Sequence, residues 1–556
     1  MIASTEKQDV IIQASGMNFL RLKTEIYKRI GKLSSATNNE IRFPISCIPL
    51  LADLLSVEAK EDEAIKSSLT AFVRHAQARD KAISVVEENQ ILDLPEFWLT
   101  TLDPPQAVAV SAMTTPGILG LCLFDEQGSG KTVMSIAAFD ILKEAGVVDA
   151  LIVVCPKSMV SEWPKDFNRF LGKKYTIVQA EGDKSKKYEA AMSDFDVLVT
   201  NYEGVDVMLT SLIAFSSKTK YLLVIDESYY LKNGDSERSD KVSRLRNYCT
   251  TCFVLCGTPA PNSAHDLINQ FDLADLGFTF GGFSKSSDPI VDWDKISSLV
   301  DSRGLFIRRL KTEILENVPE KNFHIVRVPL QGRQDSMYKT AKTELELELR
   351  SLDNETFKKN LTTYFQRRSV LLQICCCPTS IDPTFAETGV KYTACDKIIE
   401  DLTSKNRKVI IWSNYTRSID ELMIRYSKFN PVRVDGKVST PDRRAAVKSF
   451  QEDPNVHLFI GNPAAAGAGI TLHSSFDAIY ISYSNQAAHF LQSLDRIHRR
   501  GQSSDHVNYY LIVCEETIEE PEIIRLRQKE VTQHNLLGDH IPWPTSLDDA
   551  LQELAS

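Results

Sequence analysis

The chain has 556 residues, of which 43% are hydrophobic and 25% are charged, and its formal net charge at pH 7 is −10. This length is too great for one core and predicts two to four domains of an ordinary soluble globular protein. No apolar run is long enough to cross a bilayer, and the first residues lack the pattern of a secretion signal. A pI of about 5.6 argues mildly against a nucleic-acid binder but does not exclude one, since binding depends on local charge.

Residues 1–95 are predicted to form a small, mostly helical accessory domain. Apolar residues recur three and four positions apart in three segments, which is the spacing of one helix face. The segments are 20–33, 47–55 and 62–76. None carries a motif with recognisable chemistry, so packing on the rest of the chain is the simplest role. A recognition module for a protein partner is the alternative.

From residue 96 onwards, short apolar strands alternate with helical stretches. The predicted strands are 119–124, 151–155, 196–200, 221–225 and 253–256. Such alternation indicates a parallel sheet covered by helices on both faces, with functional residues at the carboxyl ends of the strands. We therefore expect a first α/β lobe over 96–330, with a helical insertion at about 262–305. In the basic stretch that follows, Arg308 and Arg309 fit a buried ion pair as well as a phosphate contact.

The segment 119–132, LGLCLFDEQGSGKT, joins an apolar strand to a helix through a glycine-bearing turn. Backbone N–H groups of such a turn, together with the helix N-terminus, bind phosphate oxygens. Lys131 is placed to contact the terminal phosphates and Thr132 to hold Mg²⁺. The residues predicted to bind the nucleotide here are Gly128, Ser129, Gly130, Lys131 and Thr132. Because Asp125 stands where the strict spacing asks for glycine, an ordinary strand–turn–helix junction is the alternative for this turn alone.

A second strand, 221–225, is followed by two adjacent carboxylates, Asp226 and Glu227. Asp226 is predicted to hold the metal ion and its water shell, and Glu227 to orient the attacking water. A strand that ends in Asp-Glu is common by itself. The phosphate turn and the carboxylate pair, in this order and both at strand ends, favour nucleotide hydrolysis.

Residues 331–390 interrupt the alternation and are predicted to form a helical insertion and linker. A second α/β lobe is expected over 391–515, and residues 516–556 are expected to form a C-terminal brace and tail. The strands predicted in the second lobe are 408–413, 431–436, 456–461, 477–482 and 507–513.

The second lobe has no phosphate turn of its own but ends in an arginine-rich segment, 490–502. We expect a helix here that presents Gln492, Arg496 and Arg499 on one face, because i, i+4 and i+7 positions lie together. Arginines from one lobe are suited to stabilise the charge of a phosphoryl transition state bound by the other. A surface helix with salt bridges is the alternative.

Two groups of cysteines suggest zinc at first sight, Cys249-x-x-Cys252-x-x-x-Cys256 and the run 375–377. Structural zinc sites usually take two spaced ligand pairs, which neither group provides. Small buried hydrophobic side chains are the simpler interpretation.

Together these motifs resemble the Swi/Snf class of superfamily 2 helicase-type motors, which are double-stranded DNA translocases. The resemblance runs from about Leu102 to Val513, with the motifs in the family's order. The segments that carry it are 102–106, 124–132, 153–167, 199–204, 226–233, 255–262, 306–321, 371–378, 433–450, 464–472 and 492–502. Ser228 and Tyr229 stand where the family has alanine and histidine, which affects the expected coupling to the second lobe but not hydrolysis.

The resemblance implies two tandem RecA-like P-loop lobes that bind ATP and Mg²⁺ between them, with double-stranded DNA as partner. It implies that Gln106 reads adenine, that Gly469 and Gln492 also contact the nucleotide, and that cleft closure and opening move the chain along the duplex. The residues implied to contact nucleic acid are Lys157, Ser158, Trp163, Asn201, Tyr202, Thr258, Ser413, Gly467 and Thr471. Backbone contacts predict low sequence preference and salt-sensitive binding.

Two other functions fit the same motifs. A strand-separating DNA or RNA helicase would carry a pin-like hairpin, and no clear one follows the second lobe's motifs. An ATP-gated clamp acting with a partner through residues 1–95 would tolerate the loss of catalytic groups, yet Lys131, Glu227 and both arginines are present. The compact build resembles bacterial or phage members, for which a cytoplasmic, nucleoid-associated location is expected.

Overall fold

The structure is a computed structural model. It describes residues 2–6, 9–30, 34–37, 39–44, 51, 54, 63–260, 263–286, 289–315, 318–465, 470, 472–483, 487–499, 502–531 and 546–555. The chain divides into two compact units, of which the first ends at Ile314 and the second begins at Leu315. Within the described ranges, no helix is both long enough and apolar enough to cross a membrane.

The N-terminal segment contains an antiparallel sheet that its sequence pattern did not predict. Its strands are β1 (Ile2–Glu6), β2 (Asp9–Gln13), β3 (Ser35–Ala36) and β4 (Glu40–Pro44), paired in the order β1–β2–β4–β3. Helices α1 (Gly16–Ile30) and α2 (Glu63–Glu87) match two of the predicted helical segments. The third, 47–55, lies outside the described residues apart from Leu51 and Leu54.

One core joins this sheet to its helices. Ile41 and Phe43 alternate along β4 and pack with Leu22 and Ile26 of α1. The period of two in β4 is the signal that distinguishes a strand from a helix, but it extends over only five residues and is easily overlooked.

A seven-stranded sheet forms the centre of the first unit, in the order β11–β5–β10–β9–β6–β8–β7. Its strands are β5 (Gly120–Leu123), β6 (Ala150–Cys155), β7 (Ile177–Ala180), β8 (Val197–Asn201), β9 (Tyr221–Asp226), β10 (Cys249–Leu255) and β11 (Phe306–Ile307). All its pairings are parallel. Successive residues of β5 enter two different cores, with Leu121 and Leu123 on one face and Cys122 on the other. Burial of both faces explains the continuous apolar runs and confirms the predicted α/β class.

Within the described part of the chain, ten further helices belong to the first unit. They are α3 (Glu96–Thr101), α4 (Pro104–Met113), α5 (Lys131–Glu144), α6 (Trp163–Leu171), α7 (Lys184–Met192), α8 (Val205–Phe215), α9 (Glu237–Arg246), α10 (Ile268–Asp275), α11 (Pro289–Arg303) and α12 (Lys311–Ile314). Helices α10 and α11 occupy the segment predicted as a helical insertion.

The second unit contains a six-stranded parallel sheet in the order β12–β17–β16–β13–β15–β14. Its strands are β12 (Glu320–Val328), β13 (Val409–Trp412), β14 (Val432–Val434), β15 (Leu458–Gly461), β16 (Asp477–Tyr480) and β17 (His506–Cys514). Strand β12 pairs with β17 along its whole length. The unit therefore begins earlier than the predicted lobe boundary at residue 330, because pairing with a strand almost two hundred residues away is not encoded in the local pattern.

The helices of the second unit include the predicted linker and brace. They are α13 (Gly332–Arg350), α14 (Asn354–Lys359), α15 (Leu361–Cys376), α16 (Val390–Ser404), α17 (Thr416–Arg425), α18 (Thr440–Glu452), α19 (Ala487–Leu494), α20 (Glu519–Val531) and α21 (Leu547–Ala555). Buried ion pairs join the linker to the C-terminal helices, with Arg368 of α15 contacting Glu522 of α20 and Glu553 of α21.

The cysteines behave as buried apolar groups. All ten described cysteines are buried and none forms a disulfide. Burial raises the pKa of the thiols of Cys249, Cys252 and Cys256 to about 12, so they are protonated at neutral pH. This agrees with their interpretation as small hydrophobic side chains.

Candidate active site

The turn between β5 and α5 has the backbone of a phosphate cradle. Gly128 and Gly130 adopt φ angles of 85° and 91°, a left-handed conformation that glycine adopts readily. A Cβ on Gly130 would lie 2.4 Å from Nε2 of Gln106. Between the two glycines, the hydroxyl of Ser129 is buried and has no hydrogen-bond partner among the described residues. A phosphate oxygen is a suitable partner for this hydroxyl.

Lys131 is the first residue of α5 and reaches back over the turn. Its Nζ donates to the backbone carbonyls of Asp125 at 2.7 Å and Glu126 at 3.2 Å. Thr132 follows it, half-buried, in the first turn of the same helix. An ammonium, a helix N-terminus and exposed backbone donors in one turn fit a nucleotide phosphate and its Mg²⁺.

Asp125, which stands where the strict motif has glycine, forms an ion pair. Its buried carboxylate accepts from Arg309, with Oδ2 2.6 Å from Nη2 and Oδ1 3.2 Å from Nε. Arg308 donates to the carbonyl of Gly257 at 2.8 Å. Arg309 thus forms a buried ion pair, whereas Arg308 contacts the backbone carbonyls of Phe124 and Gly257.

Gln106, predicted to read adenine, contacts the phosphate turn. Its Nε2 donates to the carbonyl of Ser129 at 2.9 Å, and its Oε1 accepts from the backbone N–H of Asp103 at 3.1 Å. Both ends of the amide are therefore engaged in fixing the turn against α4. A contact with adenine stays a prediction.

The predicted carboxylate pair lies at the end of β9, and each member has an aligned partner. The Trp163 indole donates to Oδ2 of Asp226 at 3.0 Å, and Nε2 of Gln127 donates to Oε1 of Glu227 at 2.7 Å. Burial raises the pKa of Asp226, while the indole bond and the charge of Lys131 oppose that shift. The lysine of the phosphate turn is thus close enough to Asp226 to act on its ionisation.

Sequence reasoning missed Gln127 and the role of Trp163. Gln127 is nearly buried and sits in the phosphate turn while it holds the predicted base. Gly257 keeps that contact possible, because a Cβ there would lie 2.5 Å from Cγ of Gln127. The position of Gln127 within the motif does not indicate its role, because its partner, Glu227, lies a hundred residues away in the sequence.

Three residues predicted to contact nucleic acid are buried instead. Trp163 is fully buried, Tyr202 is 4% exposed and Asn201 is 8% exposed. The Tyr202 hydroxyl donates to the backbone carbonyl of Asp226, and the side-chain Oδ1 of Asn201 accepts from Lys187. Trp163 and Tyr202 contact Asp226. The burial of all three side chains does not favour the predicted direct contacts with nucleic acid. The sequence could place them at strand ends but could not show which way they face.

The other predicted nucleic-acid residues of the first unit are more accessible or lack partners. Lys157 is exposed and Ser158 is half-buried, in the short 3₁₀ turn after β6. Thr258 is buried, and its hydroxyl has no hydrogen-bond partner in the described part of the chain. These three stay predictions.

In the second unit, the predicted arginine helix is shorter than expected. Helix α19 ends at Leu494, so Arg496 and Arg499 follow it in a turn and do not share a helix face with Gln492. Beyond the helix, the amide of Gln502 donates to the carbonyls of Ile497 at 3.1 Å and of Ser475 at 2.9 Å. A side chain that satisfies backbone carbonyls competes with further helical hydrogen bonds.

The predicted contact residues of this unit are differently exposed. Arg496 is 1% exposed and donates to the carbonyl of Ile470 at 3.2 Å, whereas half-buried Arg499 donates to the carbonyl of Asp495 at 2.8 Å. Gln492 is buried, and its Nε2 has no partner among the described residues. Three predicted residues, Gly467, Gly469 and Thr471, lie outside the described residues.

Ser413 is buried, with its hydroxyl 3.3 Å from that of Ser482, so its side chain does not face solvent as predicted. Its neighbours do, since Asn414 and Tyr415 line an open cleft of about 540 Å³ at the N-terminus of α17. Arg417 also lines it, and a helix N-terminus beside an arginine suits an anion.

Comparisons with known proteins agree on the family of this arrangement. The SNF2-related domain matches residues 52–380, and the helicase conserved C-terminal domain matches residues 390–501. A CHD3-type chromatin-remodeling factor of Arabidopsis thaliana is 28% identical over 84% of this chain and 40% of its own length. A chromatin-remodeling complex ATPase chain of Oryza sativa subsp. japonica is 28% identical over 74% of this chain and 38% of its own. The chain thus spans less than half the length of these two relatives.

Among solved structures, the Sulfolobus solfataricus SWI2/SNF2 ATPase core in complex with dsDNA is similar at 23% sequence identity. The match covers 81% of this chain and 95% of that one, with a TM-score of 0.37.

Proposed function

Because the chain belongs to the SNF2-related family of ATPases, we propose that it hydrolyses ATP in response to double-stranded DNA and moves along the duplex. One observation carries this proposal. Gln127 of the phosphate turn donates from Nε2 to Oε1 of Glu227 at the end of β9, at 2.7 Å. A cradle for phosphates therefore lies beside the groups that activate water.

Each residue has a role in the proposed hydrolysis. Bound ATP and Mg²⁺ supply the transferable phosphoryl group and the metal charge that offsets it. Lys131 neutralises terminal phosphate oxygens, while Thr132 and Asp226 hold the metal. Glu227, oriented by Gln127, orients the attacking water and takes up its proton. We propose that Gln492, Arg496 and Arg499 also act on the nucleotide, and that the two arginines stabilise the charge that develops in the transition state.

The proposal assigns duplex DNA as the partner through its phosphates. The carboxyl ends of strands in both units carry groups suited to phosphate binding, such as exposed Lys157 and the Arg417 cleft. Relatives of the chain are named as chromatin-remodeling factors and ATPases. Backbone contacts of this kind give little sequence preference and strong salt dependence. If the source is a bacterium or a phage, the expected location is cytoplasmic and nucleoid-associated.

Steady-state ATP hydrolysis tests this function. The purified chain is assayed alone and with duplex DNA, single-stranded DNA or RNA, at two salt concentrations. Duplex DNA is expected to raise kcat, and the effect fades as salt increases because counterions compete for the phosphates. ATP-dependent displacement of a third strand from a DNA triplex then reports movement. Stimulation by single strands or RNA alone would instead support a strand-separating helicase, and no stimulation at all would contradict the proposal.

A further inference from the structure

The loops that follow β8 and β9 are connected by one buried hydroxyl. Tyr202, directly after β8, is 4% exposed, and its hydroxyl donates to the carbonyl of Asp226 at 2.5 Å. The carbonyl of Glu227 lies 3.2 Å from the same oxygen. The residue thus contacts the backbone carbonyls of both predicted catalytic residues, Asp226 and Glu227.

The backbone at this point is strained. Glu227 has a φ angle of 55°, a left-handed conformation that is rare for a residue with a long side chain. Such strain persists only where the surroundings fix it, and it concentrates at functional sites. The peptide between Asp226 and Glu227 carries the carbonyl that Tyr202 holds. A shift of the Tyr202 hydroxyl therefore changes the direction in which Glu227 points.

The ring of Tyr202 contacts two partly exposed residues, Arg238 and Tyr230. The Arg238 guanidinium of α9 lies 5.7 Å from the Tyr202 ring centroid and 5.9 Å from that of Tyr230. The two rings are 5.6 Å apart, and Tyr230 is 38% exposed. A continuous set of contacts therefore runs from the backbone of Asp226 to the solvent. It consists of the buried Tyr202 hydroxyl, the Tyr202–Tyr230 ring pair and the partly exposed guanidinium of Arg238.

At the surface, Arg238 forms an ion pair with Glu203, and an external anion can take the place of this carboxylate. Nη2 of Arg238 lies 2.7 Å from Oε1 of Glu203, and the two side chains are 38% and 60% exposed. An ion pair this exposed is worth little, about 0 to 1 kcal/mol. Glu203 also accepts from the side-chain amide of Asn201, and Oδ1 of that amide accepts from Lys187 of α7 at 2.9 Å. Two cations are thus connected through this loop, Arg238 by its ion pair with Glu203 and Lys187 by the Asn201 amide.

We infer that Arg238 and Lys187 bind a backbone phosphate of duplex DNA, and that Tyr202 relays this binding to the Asp226–Glu227 backbone. The inference rests on the proposed DNA-stimulated hydrolysis and names how stimulation reaches the catalytic base. A phosphate displaces Glu203 from Arg238, because the exposed ion pair is weak and the guanidinium can form charge-assisted, bidentate bonds with the phosphate. The guanidinium then moves relative to the two rings on which it lies. Tyr202 is a positioning residue, since it acts through Glu227.

Burial makes the relay insensitive to pH. It raises the pKa of Tyr202 far above the ordinary value of tyrosine, so the hydroxyl remains a donor under all assay conditions. The bond to the Asp226 carbonyl is therefore constant in the absence of a conformational change.

A double-mutant cycle in the full chain tests the relay. The wild-type chain, Tyr202→Phe, Arg238→Ala and the double variant are compared by kcat with saturating duplex DNA divided by kcat without DNA. Each single variant is expected to lower this ratio about fivefold to tenfold, the effect of one lost hydrogen bond at a positioned site. The double variant is expected to be no worse than Tyr202→Phe, because the arginine acts through the tyrosine. Multiplying effects would contradict the relay.

Matched variants separate this role from simple damage to the fold. Arg244→Ala removes an exposed arginine of the same helix and is expected to keep the stimulation ratio within about twofold, as surface substitutions do. Glu203→Gln frees Arg238 and is expected to tighten duplex binding about twofold to fivefold in fluorescence anisotropy, since an exposed competitor is lost. Weaker binding would overturn the phosphate assignment. If wild-type protein shows no DNA stimulation, the proposed function itself fails; if it does and both single variants keep full stimulation, only the relay fails.

Discussion

At the scale of single residues, the candidate site depends on side chains that orient other side chains. Gln127 holds Glu227, Trp163 holds Asp226, and Gln106 holds the turn that carries Ser129. Orientation by a neighbour makes a functional group effective without a further catalytic residue. Two predictions follow from these pairs.

Glu227→Gln is expected to lower the DNA-stimulated kcat at least about 100-fold, because the loss of a general base typically costs 10²–10⁴. The variant keeps the phosphate turn and is expected to bind ATP, as measured with a fluorescent nucleotide. Glu181→Gln, which removes an exposed carboxylate of the same unit, is the control and should turn over normally. Normal turnover of the Glu227 variant would rule out its role as the base.

Trp163→Phe is expected to move the acid limb of the kcat/KM–pH profile to higher pH by about one unit, the worth of one hydrogen bond to a charge. Burial already raises the pKa of Asp226, and the indole bond is among the effects that oppose it. A carboxylate must be deprotonated to hold Mg²⁺. On the acid limb, the Trp163→Phe variant is therefore expected to need a higher Mg²⁺ concentration than the wild type for half-maximal rate.

The control for this variant is Trp98→Phe. Trp98 is also fully buried and donates to a carboxylate, Oδ2 of Asp140, at 2.8 Å. That pair lies on α3 and α5, away from the carboxylates of β9. A shift of the acid limb in both variants would point to a general loss of packing and not to Asp226.

At the scale of elements, the C-terminal helix α21 is attached to the second unit by buried charge. Glu553 accepts from Arg368 at 2.9 Å, Arg525 at 2.8 Å and the hydroxyl of Tyr364 at 2.6 Å. Burial raises the pKa of this carboxyl, but these partners outweigh it and bring the pKa to about 2. A residue so placed stabilises the fold only while it is ionised.

Glu553→Gln is expected to destabilise the protein by about 3–5 kcal/mol at pH 7, since it leaves two buried arginines, Arg368 and Arg525, to share Glu522 as their counter-charge. The folded pKa of Glu553 is below the value of about 4.3 for free glutamate. Its stabilisation is therefore complete above about pH 5 and is lost as pH falls towards 2, so the difference from wild type shrinks in acid.

Thermal unfolding of the two proteins between pH 7 and pH 3 measures this difference. Asp548→Asn, on the exposed face of the same helix, should change the midpoint little. An equally small change for the Glu553 variant would show that the ion network does not hold α21 in place.

At the scale of the whole molecule, the chain consists of two units that each contain a parallel sheet with helices on both faces. Both sheets were predictable, because strands buried on two faces are continuous apolar runs separated by helical patterns. The phosphate turn, Lys131 and the Asp226–Glu227 pair were also predictable, because each motif consists of residues that are adjacent in the sequence. Such motifs can be recognised without knowing how the rest of the chain folds.

Tertiary structure decided what depends on distant partners. It placed β12 in the second sheet, buried Trp163 and Tyr202 behind the carboxylates, ended α19 before Arg496, and paired Asp125 with Arg309. Each outcome joins residues tens to hundreds of positions apart. The sequence by itself determined which groups are available at the strand ends, because motif spacing is local. Which of them face a ligand and which support it was decided by packing, because burial is a property of the folded chain.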